Sequence, residues 1–335
     1  MTHDMLTDSI ERLLADCCTP ARIREIEGGA AVDALWHTLH DSGFMDALIP
    51  ETAGGAGLDL SSAFPIVFAC GKYAVPAPLA QTMIVRALLA AAGADVPTGP
   101  MTIAATTQSE RHDALACASA PYGRVAEWVL TNRNKSLLLL PIKAAKSTLT
   151  GIHASLEADL AWRTAPKAAV RINVPLDVRT VGAALHAAQL AGAMERILAT
   201  TIRYANERVQ FGRSISKFQV IQHHLSVMAE QALAARMASQ LGCYSSSHLP
   251  DPALAAVAKA RTSEAAITVA SLGHAVHGAM GFTAEYELQL YTRRLHEWRL
   301  AYGSELYWNQ KIGAALLDNE DMTLDFIRSQ LFPAA

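Results

Sequence analysis

A helical pattern that runs to Glu207 breaks at Arg208-Val209-Gln210-Phe211-Gly212 and resumes as a second helical pattern carrying Gln219 and Gln222. A chain with this feature must turn one long helix into another within a few residues. Gly212 suits such a turn because it has no Cβ to clash. The break also gathers chemistry: a guanidinium makes geometrically defined hydrogen bonds to phosphate, a phenyl ring offers an apolar contact, and a glutamine amide donates to or accepts from a heterocycle. Arg208, Phe211 and Gln219 therefore suit a ligand with phosphate and heterocyclic parts. Taken singly, they also suit a snorkelling arginine, a core phenylalanine and a solvated glutamine.

Around that break the sequence period changes twice. Over residues 6–92, apolar residues recur at three and four in ERLLADCC, VDALWHTLHDSGFMDALI and AFPIVFACGKYAVPAPLAQTMIVRALLAA, which predicts helices. The Gly-rich PETAGGAGLD is a loop, after which Asp59 or Ser61 is placed to cap the next helix. Over residues 97–175 the runs MTIAATT, WVLT, SLLLLPI and VRINVP are short and β-compatible, predicting a small antiparallel domain. Helical text returns over 180–317, with breaks expected at Phe211-Gly212, around 245–251 and through HGAMGFTAE, and its alanines allow close helix approach in a bundle. The expected fold is mainly α with a small central β domain: a helical domain at 1–96, the β domain at 97–176 and a helical bundle at 177–325.

With 335 residues, 51% of them apolar, the chain has enough material for more than one domain. A net charge of -3 gives no general reason to expect nucleic acid or an anionic membrane as partner. Five cysteines without C-x-x-C spacing point to free thiols, and the acidic residues near the start do not read as a secretion signal. A cytoplasmic protein without membrane insertion is the expectation. His223, His224, His274 and His277 lack the acidic or cysteine companions of a metal site and read as packing or surface residues.

The run RVQFGRSISKFQVIQHHLSVMAE and the later HAVHGAMGFTAEYELQLYTRR resemble the acyl-CoA dehydrogenase family, flavoenzymes that remove two hydrogens from the α and β carbons of an acyl thioester. The resemblance extends over nearly the whole chain. It implies helical domains before and after a β domain, the last a four-helix bundle, and FAD as cofactor. It places Arg208 on the cofactor pyrophosphate, Phe211 and Gln219 along the dinucleotide, and the turn with Gly278 and Ala279 against a neighbouring subunit's cofactor. Thr283 is expected to cap the following helix, with Glu285 contributing to that terminus. Two departures stand out. Ala275 occupies a position where many members carry a cofactor-facing glutamine, and AATTQSERHD, with Thr106, Thr107, Gln108 and Ser109, replaces the family's Thr-Glu-Pro segment in a reduced central domain.

The family's chemistry needs a carboxylate at the substrate α carbon. Spacing from Gly281-Phe282 places Tyr302 at the usual glutamate position, and a phenol with an ordinary pKa near 10 is about three units too weakly acidic to serve as a base at neutral pH. The alternative family position, on the helix before the Arg-x-x-Phe-Gly break, falls on Gly182 or Ala183. Glu195, Glu207, Glu297 and Glu305 read as surface or helix-pairing charges. The resemblance therefore implies no catalytic residue in this chain and favours the short partner of a heteromeric acyl-CoA dehydrogenase of the steroid-degradation type. In that reading a related subunit supplies the glutamate, in a heterotetramer acting on a bulky acyl-CoA. Two alternatives remain open: a structural subunit that has lost flavin, and a homo-oligomeric flavoenzyme with atypical chemistry.

Overall fold

The computed structural model describes residues 2–107, 114–133, 136–164, 170–174, 176–318 and 323–328. The chain opens with α1 (Thr2–Cys17), α2 (Pro20–Glu27), α3 (Asp33–Asp41), α4 (Leu60–Lys72) and α5 (Leu79–Ala91). Their starts follow local chemistry. Thr19 accepts from the Arg22 N–H ahead of α2, whose first residue is a proline that needs no donor there, and Asp59 accepts from the Ser62 N–H at α4. Apolar residues run round most of α4 and α5, and both helices are almost wholly buried.

Among the described residues seven strands follow: β1 (Met101–Ile103), β2 (Leu115–Ala120), β3 (Trp128–Arg133), β4 (Ser136–Pro141), β5 (Lys146–Leu149), β6 (Ala158–Trp162) and β7 (Val170–Ile172). They form two sheets, ordered β1-β3-β4-β7 and β2-β6-β5. The four β-compatible runs contain β1, β3, β4 and β7. One pairing departs from the antiparallel expectation, since β1 lies parallel to β3 with Thr102 opposite Val129. The continuous leucines of β4 are explained by burial on both faces: Leu137 and Leu139 join the main core, while Leu138 and Leu140 join a second core with Val129, Leu160 and Trp162.

The rest is helical: α6 (Val178–Glu207), the hairpin β8 (Val209–Gln210) and β9 (Arg213–Ser214), α7 (Gln219–Gly242), α8 (Pro252–His277), α9 (Leu288–Leu300), α10 (Glu305–Leu317) and α11 (Thr323–Phe326). Helices α6, α7 and α8 pack on one another, and α9 packs on α6 and α8, forming the bundle. The α6 helix also crosses α4 backbone to backbone. A Cβ on Gly71 would overlap the Gln189 carbonyl, and one on Gly192 would overlap the Phe68 carbonyl. Glu27 of α2 pairs with Arg293 at 2.7 Å and Arg294 at 2.6 Å, fastening the first helices to α9. Thr283 does not cap α9, which starts at Leu288; its Oγ1 donates to the Met280 carbonyl and closes the short turn after α8.

Candidate cofactor groove and base positions

The α6–α7 crossing forms one wall of a groove of ≈ 430 Å³, and the end of α8 forms the other. Arg208 leaves α6 in an extended conformation, and Phe211 (φ 54°) and Gly212 (φ 79°) make the tight two-residue turn between β8 and β9. Positive φ at both central residues matches the right-handed twist of a short hairpin. Phe211 is 91% exposed, which excludes the core-phenylalanine reading. Arg208 is exposed and, among the described residues, has no ion pair or side-chain hydrogen bond. Gln219 lies between the lining residues Phe218 and Val220 but is not itself part of the wall.

Across the groove stand Ala275, His277 and Gly278. His277 is buried; its Nδ1 lies 2.8 Å from the Gly273 carbonyl, and its ring stacks on Tyr204 at 4.3 Å. Burial holds its pKa below the usual imidazole value, although the Gly273 bond and Glu287 pull upward. The ring is thus neutral at pH 7, with Nδ1 as donor to the carbonyl and Nε2 as an acceptor that has no partner. Gly278 (φ 59°) faces open space, while Ala279 is exposed beside it without lining the groove. An unpaired guanidinium, an exposed phenyl ring, an apolar floor and an unpartnered buried acceptor fit one section of a dinucleotide. His277 and Tyr204 were not singled out for this role by the sequence, because a stacked His-Tyr pair on two helices leaves no local pattern.

The two family base positions meet each other. The Tyr302 ring lies so close to Gly182 on α6 that a Cβ there would overlap ring carbons Cδ1, Cε1 and Cζ. Ala183 faces elsewhere, packing with Ala256, Ala260 and Trp308. Tyr302 adopts a positive φ of 59°, donates from its hydroxyl to the Ile103 carbonyl at 2.5 Å, and meets the His186 ring edge-on at 4.9 Å. Burial drives the phenol pKa well above its ordinary value, so it remains a neutral donor. The turn is braced from beneath by Lys259 of α8, fully buried, whose Nζ donates to the carbonyls of Arg299 (2.8 Å) and Gly303 (2.9 Å) and to Ser263 Oγ (3.0 Å). Burial pushes the Lys259 pKa down to about 7, against the pull of Glu305.

Tyr302 also closes the inner side of a cleft of ≈ 600 Å³ between the sheets and the bundle, lined in part by Thr106, Thr107, Arg179, Glu157 and Glu297. Gln108 and Ser109 lie outside the described residues. Glu195 pairs with Lys72 and Arg236, and Glu305 with Arg299, as surface and helix-pairing carboxylates do. Glu297 departs from that expectation, being half-buried in the cleft wall. Glu157 was not anticipated at all.

Residues 1–96 match the family model for the acyl-CoA dehydrogenase N-terminal domain, and residues 173–317 match that for the C-terminal domain. The chain belongs to the acyl-CoA dehydrogenase family, whose members are FAD-dependent flavoproteins. Among its relatives, "Acyl-CoA dehydrogenase IpdE2" of Mycobacterium tuberculosis is 29% identical over 308 residues, 88% of this chain and 91% of that protein. Similar solved structures include a Tcur3481-Tcur3483 steroid ACAD variant, with TM-score 0.81, 22% identity and coverage of 94% of this chain and 98% of the other. Another is the ChsE4-ChsE5 complex from Mycobacterium tuberculosis, with TM-score 0.77, 20% identity and coverage of 96% and 98%. No helix among the described residues is long and apolar enough to cross a membrane.

Proposed function

We propose that this chain is the supporting subunit of a heteromeric acyl-CoA dehydrogenase, holding FAD jointly with a related subunit that supplies the catalytic glutamate. The observation that carries the reading is the contrast between an open groove at Arg208 and two base positions filled by one another at Gly182 and Tyr302. In the assembly, Arg208 binds the pyrophosphate, Phe211 holds the dinucleotide in the groove with Gln219 beside the wall at the start of α7, and the turn with Gly278 and Ala279 leaves room for its approach. FAD, when bound, would supply the hydride acceptor for the acyl β carbon. The proton from the α carbon goes to the partner's carboxylate, because Tyr302 is a neutral donor fixed on the Ile103 carbonyl.

A bulky, steroid-derived acyl-CoA is the proposed substrate class, supported by the likeness to the steroid ACAD named above. The five free thiols, four of them buried, favour a reducing cytoplasmic setting. Ala275, exposed in the groove without an amide, favours a second reading in which the subunit no longer retains flavin and serves assembly alone.

The test is anaerobic single turnover of a steroid-derived acyl-CoA by the mixed assembly. Removing the partner's base carboxylate is expected to abolish flavin reduction, while Tyr302→Phe leaves its rate within about twofold, less than the tenfold that 1.4 kcal/mol would produce. A large rate loss from Tyr302→Phe in an intact assembly would instead assign chemistry to this chain.

A further inference from the structure

Neither the groove nor the base positions use the two carboxyls at the inner wall of the cleft. Glu157 precedes β6 and Glu297 lies on α9. Both line the ≈ 600 Å³ cleft, and both also line a second, much smaller hollow beside Tyr122, whose Oη is buried without a partner. That hollow, ≈ 20 Å³, has room for about one water molecule. Glu157 is 9% exposed, and its carboxyl has no hydrogen-bond or ion-pair partner among the described residues. Oε1 of Glu297 is unpartnered, although the Ser155 hydroxyl and the Ile152 backbone support its carboxyl. The loop over it is so close that a Cβ on Gly151 (φ 82°) would overlap Ser155 Oγ and crowd that oxygen.

The surrounding charges leave this pair without a counter-ion of its own. Asp159 on β6 adds negative charge, and Arg293 and Arg294 on α9 already pair with Glu27 of α2. In the cleft itself, Arg179 of α6 lies with its guanidinium 4.9 Å from the Tyr307 ring centre, and His296 is exposed. A buried and a half-buried carboxyl in such a setting do not both ionise unaided. Burial first, then Glu297 and Asp159, push Glu157 up to about 8; burial also raises Glu297, against Ser155 and the two arginines. Ala104, Ala105, Ile152 and Leu300 give the remaining wall an apolar stretch, beside the hydroxyl residues Thr106, Thr107, Ser119 and Thr150.

We infer that the cleft is a ligand site for an organic cation on an apolar stem, an alkylammonium or alkylguanidinium whose charge supplies the counter-ion missing from the Glu157–Glu297 pair. The stem lies along the alanine and leucine wall, and the cation's N–H groups donate to the two carboxylates. The proton that Glu157 holds in the free protein at pH 7 leaves to solvent as the cation binds. Binding therefore releases a proton near neutrality and tightens with rising pH until Glu157 is ionised in the free protein.

The experiment is isothermal titration calorimetry of the full chain with n-butylammonium and agmatine, at pH 6, 7 and 8, in buffers of different ionisation enthalpy. Expected are a Kd below about 1 mM at pH 8, net proton release at pH 7, and weakening by about tenfold or more in Glu157→Gln and in Glu297→Gln. Both substitutions preserve side-chain shape, and a retained unfolding transition checks the fold. No saturable heat with either cation overturns the inference. So does proton uptake, or binding of neutral butyramide that strengthens on acidification, which would make the pair a proton donor to a carbonyl. The cleft shares Tyr302 with the proposed function but no residue with the Arg208 groove, so such a failure leaves the flavin reading untouched.

Discussion

The α6–α7 crossing and the turn after α9 use one local device to opposite ends. Each places an aromatic residue at positive φ ahead of a glycine also at positive φ: Phe211-Gly212 at 54° and 79°, Tyr302-Gly303 at 59° and 107°. A non-glycine residue held there costs about 1–2 kcal/mol. At the crossing that cost accompanies a phenyl ring standing 91% exposed beside an unpaired arginine, with only the edge of Phe218 at 6.1 Å and the short β8–β9 hairpin to offset it. At the later turn it is offset within the chain, by the Ile103 hydrogen bond, the Gly182 contact and the Lys259 brace. Under the proposed function the first region takes a partner; the second is complete in itself.

The comparison breaks first at Tyr302. Tyr302→Ala is expected to cost about 3 kcal/mol in denaturant unfolding, as other buried aromatic truncations do, and adding Gly182→Ala should recover about 1 kcal/mol by improving helix propensity where overlap is relieved. In the unaltered chain the same Gly182→Ala change should destabilise by overpacking. A cost below about 1 kcal/mol for Tyr302→Ala would mean that the ring is not sealing anything.

At the crossing, Arg208→Ala should weaken flavin retention by the assembled protein about tenfold to a hundredfold, the worth of a charge-assisted bond to phosphate, with unfolding unchanged. Equal flavin content in an intact assembly would remove Arg208 from the site.

Glu157 sharpens the comparison through pH. Its folded pKa is raised above the unfolded value, so its favourable contribution is complete below about 4.5 and is lost as pH rises through about 8. Glu157→Gln should therefore raise the Tm at pH 8 by about 2 °C or more and flatten the fall in stability between those values. An unchanged pH profile would show that the carboxyl is not buried. The smallest effect belongs to Phe211→Ala, which should alter the stability of the free chain by no more than about 0.5 kcal/mol while loosening the flavin-bearing assembly.

Helices and the crossing were legible because their signals are local: periodicity, a capping Asp59, and an Arg-x-x-Phe-Gly break. Strands with weak local signals were not. The β2 strand has one leucine among alanines, a cysteine and a serine, and β5 is exposed along its whole length, so neither shows apolar alternation. The parallel β1–β3 pairing depends on a crossover that no turn residue announces. At the site, spacing located Tyr302 and Gly182 separately, but their contact joins α6 to the turn after α9 and is purely tertiary. Glu157 and Glu297 were obscured for the same reason, since one precedes a strand and the other sits on a helix. Thr283 misled because a good capping residue served a carbonyl behind it instead of a helix ahead.

The most direct measurement is native mass spectrometry with a flavin absorbance spectrum, on the chain expressed alone and together with a longer acyl-CoA dehydrogenase subunit. The account predicts a mixed assembly that carries FAD and is reduced by acyl-CoA, and a lone chain that is not. A lone homo-oligomer loaded with FAD and bleached by acyl-CoA would contradict it.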